Sequence, residues 1–125
     1  GGGTTAVYLA NRLIKAGIDV KIIEQNLERC EEISELLPAV TVIHADGTQQ
    51  EVLLEEGIEN TDAFVALTGI DEENILISSF ASSLSSSYSS GDSFHALYGS
   101  VFLLFSNKFF LFHILFSYAS PFIIT

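Results

Sequence analysis

The chain has 125 residues, 48% of them hydrophobic, with 16 acidic and 5 basic side chains and a formal net charge of −11. That length allows one domain of ordinary size, and that charge argues against a nucleic-acid surface, which needs a basic stripe. A single cysteine, Cys30, excludes an internal disulfide and a cysteine metal cluster.

The averages conceal a break. Residues 1–74 hold 15 of the 16 acids and 4 of the 5 bases, while nine of the ten phenylalanines lie at or after Phe80. The chain is therefore read in two parts, 1–80 and 81–125. No signal peptide is read ahead of the first residues.

Gly1-Gly2-Gly3-Thr4-Thr5-Ala6 fits G-x-G-x-x-[G/A], and Glu24 follows about twenty residues on, closing a strand pattern. This is the dinucleotide-binding fingerprint, and each part has a physical task. Gly1 allows a tight turn, Gly3 lets the backbone approach a pyrophosphate, and Ala6 is small enough for helix and sheet to pack. A helix opening at Thr4 points its free N–H groups and positive dipole end at phosphates. Glu24 would accept hydrogen bonds from a ribose diol. A glycine-rich hexapeptide alone reads equally well as a flexible leader; the helix and acid that follow favour the fingerprint.

Ala6, Leu9, Ala10, Leu13 and Ile14 share one helical face, and Gly17 stops the helix. Residues 20–24 are short, β-branched and mostly apolar, as a parallel strand covered on both faces should be. Asn26 can cap a second helix whose buried stripe is Cys30, Ile33 and Leu37 and which Pro38 ends. The acids Glu28, Glu31, Glu32 and Glu35 form its solvated face. A strand over 40–44, with a strand-end His44, leads into the loop Ala45-Asp46-Gly47-Thr48. A short helix through Val52–Leu54, a strand over 63–68, the turn Gly69-Ile70-Asp71 and a helix from Glu72, capped by Asp71, follow. Strand–helix alternation at this spacing predicts βαβ units and a Rossmann-like doubly wound parallel sheet.

One piece is missing from that pattern. The fingerprint should follow a strand, central in the order 3-2-1-4, yet the sequence begins at the fingerprint. The sheet is expected to be truncated before its first strand, with an apolar slot and reduced stability unless something fills it.

The segments GGGTTAVYLANRL, VKIIE, ERCEEISELLP, HADGT, LLEEGIENTDAFVALTG and DEENI, in this succession, resemble the nucleotide-binding RCK/KTN domain of TrkA-type potassium uptake regulators over about two thirds of the chain. The resemblance implies a cytoplasmic regulatory subunit, peripheral at the inner face of the plasma membrane and not an enzyme. It would bind NAD(H) or ATP/ADP, act on a potassium-translocating membrane subunit and assemble as a homo-oligomer. Carried across, Gly1, Gly3, Thr4 and Thr5 meet the phosphates and Glu24 the adenosine ribose. Asp46, Gly47 and Thr48 line the adenine side; Thr68 and Gly69 close over the ligand, with Asp71 near that mouth. Gln25 and Asn26 after Glu24, with no arginine, argue against a 2′-phosphate and so against NADP. Two alternatives stand beside this: the cofactor half of an NAD-dependent oxidoreductase, or a truncated fragment without activity. No Tyr-x-x-x-Lys pair and no histidine with a carboxylate partner supports the enzyme.

Past Asn74 the family pattern fits to Phe80 and then stops. Residues 78–90 carry nine serines in thirteen, and residues 101–124 are rich in Phe, Leu and Ile without a clear period. Three readings of this tail remain open. One is a non-homologous stretch such as a shifted reading frame. Another is a membrane segment over 101–116, interrupted by Asn107, Lys108 and His113. The third is a packed element using the slot of the absent first strand.

Overall fold

The computed structural model describes residues 1–61, 63–86 and 122–125. Helix α1, Thr4–Lys15, buries Ala6, Ala10 and Leu13 and ends where Gly17 takes a left-handed φ of 79°. Strand β1, Val20–Glu24, is followed by α2, Leu27–Leu36, whose N-cap Asn26 accepts the Arg29 N–H. Strand β2, Thr41–His44, then α3, Gln50–Glu55, and a 3₁₀ turn, Ile58–Asn60, lead to strand β3, Ala63–Val65. Helix α4, Asp71–Ser86, and strand β4, Phe122–Ile124, complete the described elements.

The sheet order is β2-β1-β4-β3, and every pairing is parallel. β4 therefore occupies the central slot between β1 and β3, where the absent first strand was expected. Its residues face alternate sides, as a pleated strand requires. Phe122 and Ile124 join α1, Ile33 of α2, Val20 and Ile22 in one core. Ile123 joins Leu53, Ile58, Phe64 and Ile77 in the other. All three are at most 2% exposed, so the strand is covered on both faces and paired on both edges.

The ladder continues from β4 into the first residues. Phe122 N donates to Asp19 O at 2.9 Å, and Gly1 N donates to Ile23 O at 2.9 Å. In a parallel ladder donors two residues apart reach acceptors two residues apart. Steps from Phe122 to Ile124 to the next place therefore meet residues 19, 21 and 23, and Gly1 stands at the place after Thr125. Strand, glycine turn and helix are thus continuous in space, although the strand comes last in the sequence. The membrane reading of residues 101–116 lies outside the described residues; no described helix is long and apolar enough to cross a membrane.

Two boundaries differ from expectation by more than one residue. β3 ends at Val65, not at residue 68: its ladder with β4 closes at the Val65–Ile124 pair, and beyond it the Leu67 N–H donates to Thr125 O at 2.8 Å. α4 runs through the serines to Ser86, because Ile77, Phe80, Ala81 and Leu84 keep one packed face. Ser83 Oγ turns back onto Phe80 O at 2.6 Å, the local bond by which serine tolerates a helix.

Candidate functional site

A cleft of about 470 Å³ opens where the carboxyl ends of β1, β2 and β3 meet the start of α1. In open parallel sheets this is the ligand position, outside the strand ends at the point where the strand order reverses. Of the residues singled out from the sequence, Gly1, Gly3, Glu24, Asp46, Gly47, Thr48, Thr68 and Gly69 line it. Thr4 and Thr5 do not; they are exposed in the first turn of α1. Asp71 does not line it either. It is exposed and begins α4 instead of capping it, and the first helical bond runs from Asn74 N to Ile70 O at 3.1 Å.

The three glycines divide the work differently from the fingerprint's usual account. A Cβ on Gly1 would lie 2.1 Å from Leu67 O and 2.6 Å from Thr125 O, so Gly1 is required by packing against the ends of β3 and β4. A Cβ on Gly2 would meet Ile33 Cδ1 at 2.4 Å and Glu24 Oε2 at 3.0 Å. At Gly3 it would meet nothing within 4 Å. Gly3 is also the N-cap of α1 and offers no capping side chain. The leading N–H groups of the helix are left for a ligand or water, and the space before them is open.

Glu24 closes β1 and faces this turn. Its Oε2 accepts the Gly2 N–H and its Oε1 accepts the Asn26 N–H at 2.8 Å. Burial pushes its carboxyl upward, but the Asn26 and Gly2 N–H groups, with the Gly1 ammonium and the Gln25 N–H, together hold it below the usual range. A carboxylate has about four acceptor positions; two are used, so a diol can still be bound.

Asp46 is held by its own loop. Its Oδ1 accepts from Thr48 N at 2.9 Å and Thr48 Oγ1 at 2.7 Å, and its Oδ2 from Gln49 Nε2 at 3.2 Å. These donors lower its pKa. Beyond β3, Asn74 grips Thr68 from both sides: its Oδ1 accepts the Thr68 N–H at 2.8 Å and its Nδ2 donates to Thr68 O at 3.1 Å. His44 meets Gln25 O at 3.1 Å. Cys30, 6% exposed, donates to Glu24 O at 3.3 Å, and burial, then the nearby Glu24 charge, pushes its thiol pKa up.

Several lining residues were given no ligand role in the sequence: Gly2, Ile23, Leu67, Ile70 and Glu73. Glu73 was legible only through helical pitch, which turns it toward the cleft two residues after Asp71. Arg29 also went unmarked, since only Gln25 and Asn26 directly follow Glu24. One turn of α2 brings it back, and its Nε donates to Gly2 O at 2.6 Å. The arginine absent from the linear reading is therefore beside the turn, engaged with backbone and with Glu32.

Comparison with known proteins agrees with this architecture. The family model of the TrkA-N domain matches residues 1–89. The Trk system potassium uptake protein TrkA homolog of Archaeoglobus fulgidus is 43% identical over 84 residues, 67% of this chain and 19% of that protein. The Trk system potassium uptake protein TrkA of Halomonas elongata is 46% identical over 81 residues, 65% of this chain and 18% of that protein. The TrkA homolog of Pyrococcus abyssi is 49% identical over 76 residues, 61% of this chain and 33% of that protein. The matched stretch thus spans a fifth to a third of these relatives. With a Rossmann-like parallel sheet, a glycine turn and an acid closing β1, the chain belongs to the TrkA-N domain family.

Proposed function

We propose that this chain is the nucleotide-binding part of a TrkA-type potassium uptake regulator, taking NAD(H) or ATP/ADP in the cleft. The observation that supports it best is the uncapped start of α1 with open space at Gly3, set beside the ionised Glu24. Gly1, Gly3 and the N–H groups of Thr4 and Thr5 would hold the phosphates, and Glu24 the adenosine ribose. Asp46, Gly47 and Thr48 would border the adenine, with Thr68 and Gly69 closing the mouth.

The lining favours the dinucleotide over ATP. Among the described residues its charged side chains are Glu24, Asp46 and Glu73, with no lysine or arginine. The positive end of α1, worth about half an elementary charge, suits a pyrophosphate better than a triphosphate facing three carboxylates. Binding would shift a conformational equilibrium that a potassium-translocating membrane partner senses, from a cytoplasmic position on the membrane's inner face and through a homo-oligomer of the domain. The bound nucleotide would act as an effector and not as a reactant.

A thermal-shift titration with NADH, NAD, ATP and ADP tests this. A ligand that binds only the folded chain raises the melting temperature once its concentration exceeds Kd. The expected result is a saturable shift, larger for NADH than for ATP and weakened by Glu24→Ala. No shift with any of the four contradicts the proposal.

A further inference from the structure

We propose that Arg29 is a positioning residue for the glycine turn, acting through the Gly2–Gly3 peptide on the phosphates of the bound nucleotide; this rests on the nucleotide reading above. The observation is a closed circuit of four hydrogen bonds. Glu24 Oε1 accepts the Asn26 N–H at 2.8 Å, and Asn26 Oδ1 accepts the Arg29 N–H at 2.9 Å. Arg29 Nε donates to Gly2 O at 2.6 Å, and the Gly2 N–H returns to Glu24 Oε2. The guanidinium is held at its other edge too, where Nη1 reaches Glu32 at 2.6 Å.

The circuit fixes both ends of Gly2. Its N–H is taken by the acid that closes β1, and its carbonyl by the arginine on α2. A planar trans peptide sets the Gly3 N–H antiparallel to the Gly2 carbonyl. Drawing that carbonyl toward α2 turns the Gly3 N–H away from α2, at a residue that lines the cleft. Arg29 is not part of the lining, so its influence passes through the backbone. The space at Gly2 is shaped to match: a Cβ there would lie 3.3 Å from Arg29 Cγ. Among the described residues, Arg12 and Lys15 lie in the last turn of α1 and Lys21 pairs with Glu56. Arg29 is the basic side chain placed at the turn.

The test is calorimetric titration of wild type, Arg29→Ala and Arg29→Lys with NADH, ADP and adenosine, with the Gly3 amide resonance of the ligand-free chains as second readout. Arg29→Ala should bind NADH and ADP about tenfold more weakly, the loss of one charge-assisted hydrogen bond. Adenosine, which has no phosphate, should be affected less than about twofold, and the Gly3 resonance should move. Arg29→Lys should behave like Arg29→Ala, since lysine keeps the charge but lacks the planar fork. Wild-type affinity in Arg29→Lys would assign the effect to charge and overturn the positioning role. Equal losses for ADP and adenosine would overturn it as a general folding defect. Unchanged ADP binding in Arg29→Ala would overturn this inference alone, whereas a wild type that binds none of the three removes the nucleotide reading and this inference with it.

Discussion

The two sides of the cleft are assembled in different ways. On the Glu24 side, β1, α2 and β2 follow one another directly, and each signal in the sequence lies beside the element it specifies. On the glycine side, the turn is entered from β4, whose residues 122–124 stand at the far end of the sequence from Gly1. A strand–turn–helix unit of this kind needs its three parts adjacent in space. It does not need them in one covalent order, because the ladder bonds and side-chain packing that hold a central parallel strand depend on position alone. Phe122, Ile123 and Ile124 meet both requirements.

If β4 is the true centre of the sheet, damage there should exceed damage anywhere on the contiguous side. Ile123→Asp places a carboxylate at a site 2% exposed, between β1 and β3. An unpaired buried charge costs about 4 kcal/mol or more, comparable to the whole stability of a small domain. Urea denaturation should show loss of the cooperative transition.

The glycine turn itself gives a sharper contrast. Gly2→Ala drives a methyl group against Ile33 Cδ1 and Glu24 and should destabilise by about 1–3 kcal/mol. Gly3→Ala meets open space and should leave the unfolding midpoint nearly unchanged while weakening NADH binding. Melting curves and NADH titration of both variants separate a glycine kept for packing from one kept for a ligand. On the contiguous side, Asn26→Ala removes the cap of α2, including its bond to Arg29 N at 2.9 Å, and should cost about 1 kcal/mol.

The smallest effect is on pH. Folding holds both the Glu24 and the Asp46 carboxyl below the usual carboxylate range, Asp46 chiefly through the Thr48 N–H and Glu24 through the Asn26 and Gly2 N–H groups. Carboxylates depressed by folding contribute stability that is fully present above the unfolded pKa and lost as pH falls through the folded one. Acid unfolding should therefore steepen below about pH 4.5, and Glu24→Gln should flatten that part of the curve.

Much of the contiguous side was legible. The helix over Thr4–Lys15, its stop at Gly17, the Asn26 cap and the strand closed by Glu24 all follow from local rules of spacing and capping. The need for a strand between β1 and β3 was legible as a gap. The segment that fills it was one of three open readings, because three buried residues at the end of an apolar stretch have no period to mark them. α4 was half visible: its six serines masked the stripe Ile77, Phe80, Ala81 and Leu84, which tertiary packing selects over composition. In the site, local signals marked the glycines and Glu24. Arg29 and Glu73 were hidden because helical pitch, not adjacency, brings them to the cleft or its turn.

β4 completes the strand–turn–helix unit on which the site is built. Hydrogen exchange at two amides tests it most directly: Thr125 N–H, bonded to Val65 O at 3.0 Å, and Leu67 N–H, bonded to Thr125 O at 2.8 Å. Both should exchange as slowly as the amides within β1, and more slowly still when NADH is added. Exchange at the rate of an unstructured peptide, unchanged by NADH, would contradict the account.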